Sequence, residues 1–305
     1  SYYMKFEDYP FHHAMMKGYQ ERASKFIYVI EGEEKKIYDE YLFTETEFSK
    51  MPLEAQAASK ALKKYVASFT FSNFGGLQTV AEEDMSDEKL DILARFGKVF
   101  DLTYTRFNDL QKAEAQAREA QIEAALERVR SRSMAMHTSE ELKEVIKVVY
   151  QQLTQLKINL DHAGFVVDYK PGGDWHFWIA DEQDIPSKIS HPYFESVWAT
   201  QFNETKAKGA DFFATQLNFE EKNKFYTELL SYVPDLPDAS KDFYLNCPGL
   251  AASTVLLENV GLYIENFSGI PYTEEENTTL MRFGKVFQQT YTRFLDLQKA
   301  EAQAR

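Results

Sequence analysis

Trp175, His176, Phe177 and Trp178 stand consecutively in a short β-rich run, Asp174–Ala180. Alternation along a strand sends Trp175, Phe177 and Ile179 to one face and His176 and Trp178 to the other. One set packs beneath helices. The other borders a space where an aromatic ligand can stack, with His176 as its polar contact. Phe165, Phe213 and Tyr263 join either arrangement. Core packing and a ligand pocket therefore both stand as readings of these aromatics.

Other reactive groups are sparse. Cys247 is the single cysteine, which excludes an internal disulfide and a Cys-rich metal site. The six histidines, at 12, 13, 137, 162, 176 and 191, show neither His-x3-His nor His-Glu-x2-His spacing, so no metal site is predicted. His137 reads as a helix-junction residue. Phosphate-binding, nucleophile-elbow and dinucleotide fingerprints are missing from the sequence. The expectation is no catalytic residue and no cofactor. Any kinase, phosphatase or cyclase activity would lie outside this chain.

A repeat organises the elements that carry these residues. Residues 95–118, RFGKVFDLTYTRFNDLQKAEAQAR, recur at 282–305 as RFGKVFQQTYTRFLDLQKAEAQAR. Upstream, EEKKIYDEYLF (33–43) aligns with EEKNKFYTELL (220–230), and FTFSNFGG (69–76) with LYIENFSG (262–269). Tyr9-Pro10-Phe11 falls opposite His191-Pro192-Tyr193. Nothing in the first copy matches 139–190, so the first domain reads as truncated at its N-terminus, or as naturally short. The second copy halts where the first runs on into a linker, which suggests that a parent protein continues.

From Leu90 an apolar stripe follows helical, near-heptad spacing through Phe96, Phe100, Thr103, Phe107 and Leu110. It resumes at Ile122, Leu126, Val129, Ser133 and Met136. With no Gly or Pro between Lys98 and Met136, 88–136 reads as one helix of roughly 70 Å. Its exposed seam predicts a parallel homodimer along Phe96, Phe100, Thr103, Phe107, Leu110, Ile122, Leu126, Val129 and Met136; a solitary solvated linker helix is the other reading.

Thr138 with Glu141, and Thr273 with Glu276, have capping-box spacing and open further helices. Strands are expected at His162–Tyr169, Asp174–Ala180, Ala210–Leu217, Ser253–Glu258 and Gly261–Phe267, with a turn at Lys170–Gly173 and helices over 192–207 and 219–232. The fold class is α+β: an antiparallel sheet with helices on one side, in two copies joined by a long helix. The divisions are 1–94, part of a first domain; 95–137, connecting helix; 138–288, complete second domain; and 289–305, the start of a further helix.

The net charge of −14 repels phosphate backbones and anionic lipid, so neither nucleic acid nor membrane contact is expected. No run approaches the ~20 apolar residues of a membrane span. With one cysteine and no signal pattern, a cytoplasmic location follows.

The ending Gly261-Leu262-Tyr263-Ile264, then Tyr272-Thr273-Glu274-Glu275-Glu276 and Leu280–Phe283, resembles the C-terminal signature of GAF domains. The first copy repeats it loosely at Met85–Glu88 and Leu90–Phe96. The block 95–136 is similar to helical linkers in bacterial multidomain sensor kinases and nucleotide cyclases. PAS domains share much of the architecture. The resemblance implies a small-molecule sensor or dimerisation module that passes changes along a helix, its ligand unspecified. It places Cys247 of Asn-Cys-Pro-Gly at the pocket as a candidate bilin tether, although no histidine follows it. The cyclic-nucleotide motif is only echoed at Asn223-Lys224-Phe225. The alternative is a structural dimerisation or spacer module that has lost its ligand.

Overall fold

The computed structural model describes residues 2–170, 172–182, 187–258 and 260–304; Pro171 of the expected turn lies outside them. The chain forms two compact units, Ser1–Ala115 and Gln116–Arg305.

In the first unit, α1 (Pro10–Gln20) leads to β1 (Phe26–Glu31), α2 (Gly32–Thr44), α3 (Leu53–Ala61), β2 (Lys64–Ser72), β3 (Gly75–Ala81) and α4 (Asp87–Met134). The strands form an antiparallel sheet in the order β1-β2-β3. Phe11, Ile30, Tyr38, Tyr41, Tyr65 and Phe69 make its core. Asp101 of α4 accepts from the Asn73 backbone N–H at 3.0 Å and so caps the β2–β3 turn.

In the second unit, α5 (Leu142–Gln155) precedes β4 (His162–Val167), β5 (Trp175–Ala180) and β6 (Ser187–His191). Next come α6 (Val197–Ala207), β7 (Phe212–Leu217), α7 (Phe219–Ser231), α8 (Asp238–Asn246), β8 (Leu250–Leu256), β9 (Val260–Asn266) and α9 (Glu274–Ala304). All neighbouring strands pair antiparallel, in the order β6-β5-β4-β9-β8-β7. Local chemistry marks the helix starts. The Glu276 carboxylate accepts from the Thr273 N–H at 2.8 Å, Thr273 Oγ1 accepts from the Glu276 N–H, and Asn218 with Glu221 builds a second capping box.

Helices cover both faces of this sheet, which corrects the expectation of one. β4, β8 and β9 are buried at every position; such strands read as continuous apolar runs because neither face meets water. Ala163, Phe165, Val167, Leu262 and Ile264 face α5, α9 and the C-terminal part of α4. Gly164, Val166 and Tyr263 face the layer of α6, α7 and α8. Two elements, β6 and α8, were not expected, and the helix expected over 192–207 begins at Val197.

Ile122, Leu126, Val129 and Met136 are each at most 4 % exposed, inside the core of the second unit. This corrects their assignment to a dimer seam: they are consumed by packing within the chain, and 116–136 belongs to the second unit rather than to a free connector. There α4 and α9 run parallel. Arg282 bridges Glu119 at 2.9 Å and Glu123 at 2.5 Å, and Arg293 donates to the Met136 carbonyl at 3.0 Å.

The first unit has the element order and strand pairing of residues 197–304: helix, strand, two helices, hairpin, helix. Gly97 and Gly284 occupy the same place in the repeat. A Cβ at Gly97 would meet Thr70 on β2 at 2.6 Å, and one at Gly284 would meet Val255 on β8 at 2.9 Å. Each glycine thus lets its helix lie directly on its sheet. Lys35 of α2 and Lys222 of α7 are likewise both buried. Two pairings need correction. FTFSNFGG runs from β2 into β3, whereas LYIENFSG lies on β9 and just beyond, and Pro10 opens a helix, whereas Pro192 stands before one.

Gly164 sits under the ring of Tyr263, and a Cβ there would fall 2.0 Å from Tyr263 Cζ. Gly164→Ala should destabilise the second unit by about 2–3 kcal/mol through overpacking. Its cost should largely disappear in a Tyr263→Ala background. Urea denaturation of the double-mutant cycle checks this.

Candidate functional site

A cavity of ≈ 120 Å³ lies between the α6–α7–α8 layer and the sheet. The sheet supplies Trp175, Phe177 and Ile179 from β5, Tyr263 and Glu265 from β9, and Ala252 from β8. α7 supplies Phe225, Tyr226, Leu229 and Leu230, and α8 supplies Tyr244. Period-2 alternation accounts for the β5 set, since every second side chain reaches the same face. Trp198 of α6 closes one wall, its indole N–H donating to Thr254 Oγ1 at 3.1 Å. Trp175 and Phe177 pack about it at 5.3 and 6.0 Å between ring centroids.

Polar groups are few and sit in an apolar surround. His162 and Glu265 face each other across the β4–β9 register, with Nδ1 and Oε1 2.8 Å apart and both side chains nearly buried. Burial opposes protonation of His162, but the hydrogen bond and charge of Glu265, with Asp181 and Asp161 behind it, outweigh that and raise its pKa. His191 is lowered by burial, against the opposing effect of the Pro192 carbonyl. Its Nδ1–H donates to that carbonyl at 2.8 Å, so a neutral ring keeps Nε2 as an acceptor. Burial raises the phenols of Tyr226, Tyr263 and Tyr244, and the Glu265 charge adds to it. These hydroxyls stay protonated. The site therefore offers neutral donors and one internally balanced ion pair, and no net charge to attract a strongly ionic ligand.

Of the residues singled out from sequence, Trp175 and Tyr263 line this cavity, and Phe213 packs beside it with Trp198 and Phe202. Phe165 is elsewhere, its ring tilted against Phe287 in the opposite layer with centroids 4.2 Å apart. Trp178 packs on that layer too, and His176 bonds Ser190 Oγ at 2.7 Å, away from the cavity. These three are corrections. Alternation separates them from Trp175, and with helices on both faces the second set also has a core to enter. Cys247 follows α8 and packs near Leu217, Tyr226 and Phe267 without lining the cavity. Burial pushes its thiol up, away from the thiolate a tether requires.

His162, Glu265, His191, Trp198, Tyr226 and Tyr244 were not singled out. A signal existed for the first two, because a histidine and a glutamate inside otherwise apolar strands need a partner. The others depend on which helices cover the second face. Among the described residues, no cluster of three His, Cys, Asp or Glu is placed to hold a metal, and no helix is long and apolar enough to cross a membrane.

The fold and site thus define a six-stranded antiparallel sheet between helical layers, with an aromatic cavity under one of them. No protein-family model and no curated protein matches the chain. Among solved structures, the GAF domain from Acinetobacter phosphoenolpyruvate-protein phosphotransferase is similar, with 10 % identity and a TM-score of 0.34, covering 55 % of this chain and 93 % of that one. At that score the likeness carries no weight for function, which rests on the cavity.

His162 has a raised pKa, so its pairing with Glu265 stabilises fully below the unfolded histidine value near ~6.5 and is lost as pH rises through the higher folded value. His12 and His191 are lowered and act in the opposite sense, losing stability as pH falls. Glu265→Gln should therefore destabilise most at about pH 6, with the difference from wild type shrinking towards about pH 8. Urea titrations of both proteins across that range test it, since the His12 and His191 contributions cancel in the difference.

Proposed function

We propose that the second unit is a GAF-like sensory domain whose cavity receives a compact, largely apolar ligand, and that the chain performs no reaction of its own. One observation carries this reading: an aromatic-lined cavity with a small set of neutral donors on its walls. Comparably sized apolar cavities hold single-ring molecules. The Tyr226, Tyr244 and Tyr263 hydroxyls suit a ligand with one acceptor, such as a carbonyl or a ring nitrogen. Strong anions are disfavoured because Glu265 already takes the charge of His162.

Transmission follows from the alternation of β9. Tyr263 meets the cavity, while Leu262 and Ile264 on either side enter the core with Phe283 and Phe287 of α9. A ligand that binds one position of Tyr263 better than another biases the packing of α9 and of the C-terminal part of α4. The signal would leave the domain along helices.

Indole and acetophenone should raise the melting temperature of the chain, and benzoate should do so less. At a hundredfold excess over Kd the stabilisation is about 2.7 kcal/mol, roughly 5–10 °C for a unit of this size. Ala252→Phe, which fills the cavity from β8, should abolish the shift. If no compact aromatic shifts the wild type and Ala252→Phe is simply more stable, the cavity is a packing defect and the domain a structural spacer.

A further inference from the structure

α4 carries Phe96, Phe100, Thr103, Phe107 and Leu110 at intervals of four, three, four and three residues, the interval of a helix packed along another helix. All five are exposed, Phe96 by 63 % and Phe107 by 50 %. α9 carries the same five side chains as Phe283, Phe287, Thr290, Phe294 and Leu297. There the first three are fully buried and the last two pack on the core, beside the parallel C-terminal part of α4. One seam is thus covered in the second unit, where Phe287 lies against Phe165 of β4, and bare in the first.

The bare seam is at the upper end of what a monomer exposes. With Ile92 and Val99 beside it, half-exposed side chains at roughly 100 Å² each give an apolar patch of about 600 Å². Two such patches face to face approach the lower bound of a stable interface. The seam also cannot be the start of the one buried further along α4. Counted on from Leu110, the heptad lands on Glu114 and Ala117, out of step with Ile122, Leu126 and Val129. The second seam serves the chain itself, and the first is left for another molecule.

We propose that a second copy of this chain covers it, in a parallel two-stranded coiled coil confined to about residues 92–110, with Phe107 against Phe107. The heptad interval suits a helix as occupant. A second α4 matches the seam in length and register. The positions flanking it carry one charge, Arg106, so pairing two copies sets no like charges against each other. The interface is independent of any ligand in the cavity.

Sedimentation equilibrium of the full chain should give twice the 35.4 kDa chain mass at micromolar concentration. Phe107→Glu should weaken the dimer at least about a hundredfold while leaving the unfolding midpoint of the isolated monomer near that of wild type. In a Cys247→Ser background, Leu110→Cys should oxidise to a disulfide-linked dimer, and Lys98→Cys, on the far side of the helix, should not. A wild-type monomer at about 100 µM, a dimer indifferent to Phe107→Glu, or equal cross-linking at Lys98→Cys would each overturn the proposal. The first result would instead mark the seam as the docking face for a separate strand–helix segment.

Discussion

A sheet whose central strands are apolar on both faces must be covered twice. β4 and β9 impose that condition on the second unit, because His162–Val167 and Val260–Asn266 are buried along their whole length. One cover comes from α5, α9 and the end of α4, with Phe165 and Phe287 in contact near its centre. The other comes from α6, α7 and α8. The two covers differ in kind. The first interdigitates closely, while the second stands off the sheet on bulky aromatics and leaves a cavity. Gly164 is part of that difference, since its missing side chain lets Tyr263 lie flat across β4.

The long helix answers to the same requirement. Its C-terminal stretch helps cover the second sheet, and Ile122, Leu126 and Val129 are buried for that reason. The earlier stretch lies on its own sheet through Gly97 and leaves its aromatic seam in water. A helix that looks uniform in composition is therefore partitioned by what each segment covers.

Much of this was legible in the residues. The repeat, the capping boxes at Thr138 and Thr273, and the strand pair DWHFWIA and HAGFVVDY could all be read from turn chemistry and period. The opposite orientations of Trp175 and Trp178 followed from alternation alone. The second helical layer was not legible. FEEKNKFYTELL and DASKDFYLN give weak apolar stripes, and only the tertiary structure shows that Tyr226 and Tyr244 turn inward over the sheet. The His162–Glu265 pair was hidden for a different reason. The two residues are far apart in sequence, and nothing local fixes the register that brings β4 beside β9. The stripe on α4 was visible, but its division into a buried and a bare part depends on α5 and α9, which lie beyond it in the chain.

The near-identity of 95–118 and 282–305 has an evolutionary side. The same string is held by two unlike sets of constraints, so neutral drift should not treat the copies alike. One of their three differences already leans that way. Asp101 caps the β2–β3 turn where the second copy has Gln288; nothing in the structure explains Asn108 against Leu295, both half-buried, or Leu102 against Gln289. A mutation tolerated at Phe96 would cost several kcal/mol at Phe283, where truncation leaves a hole in the core. Copies that began as one sequence are thus under pressure to diverge first at positions where water meets one and packed atoms meet the other.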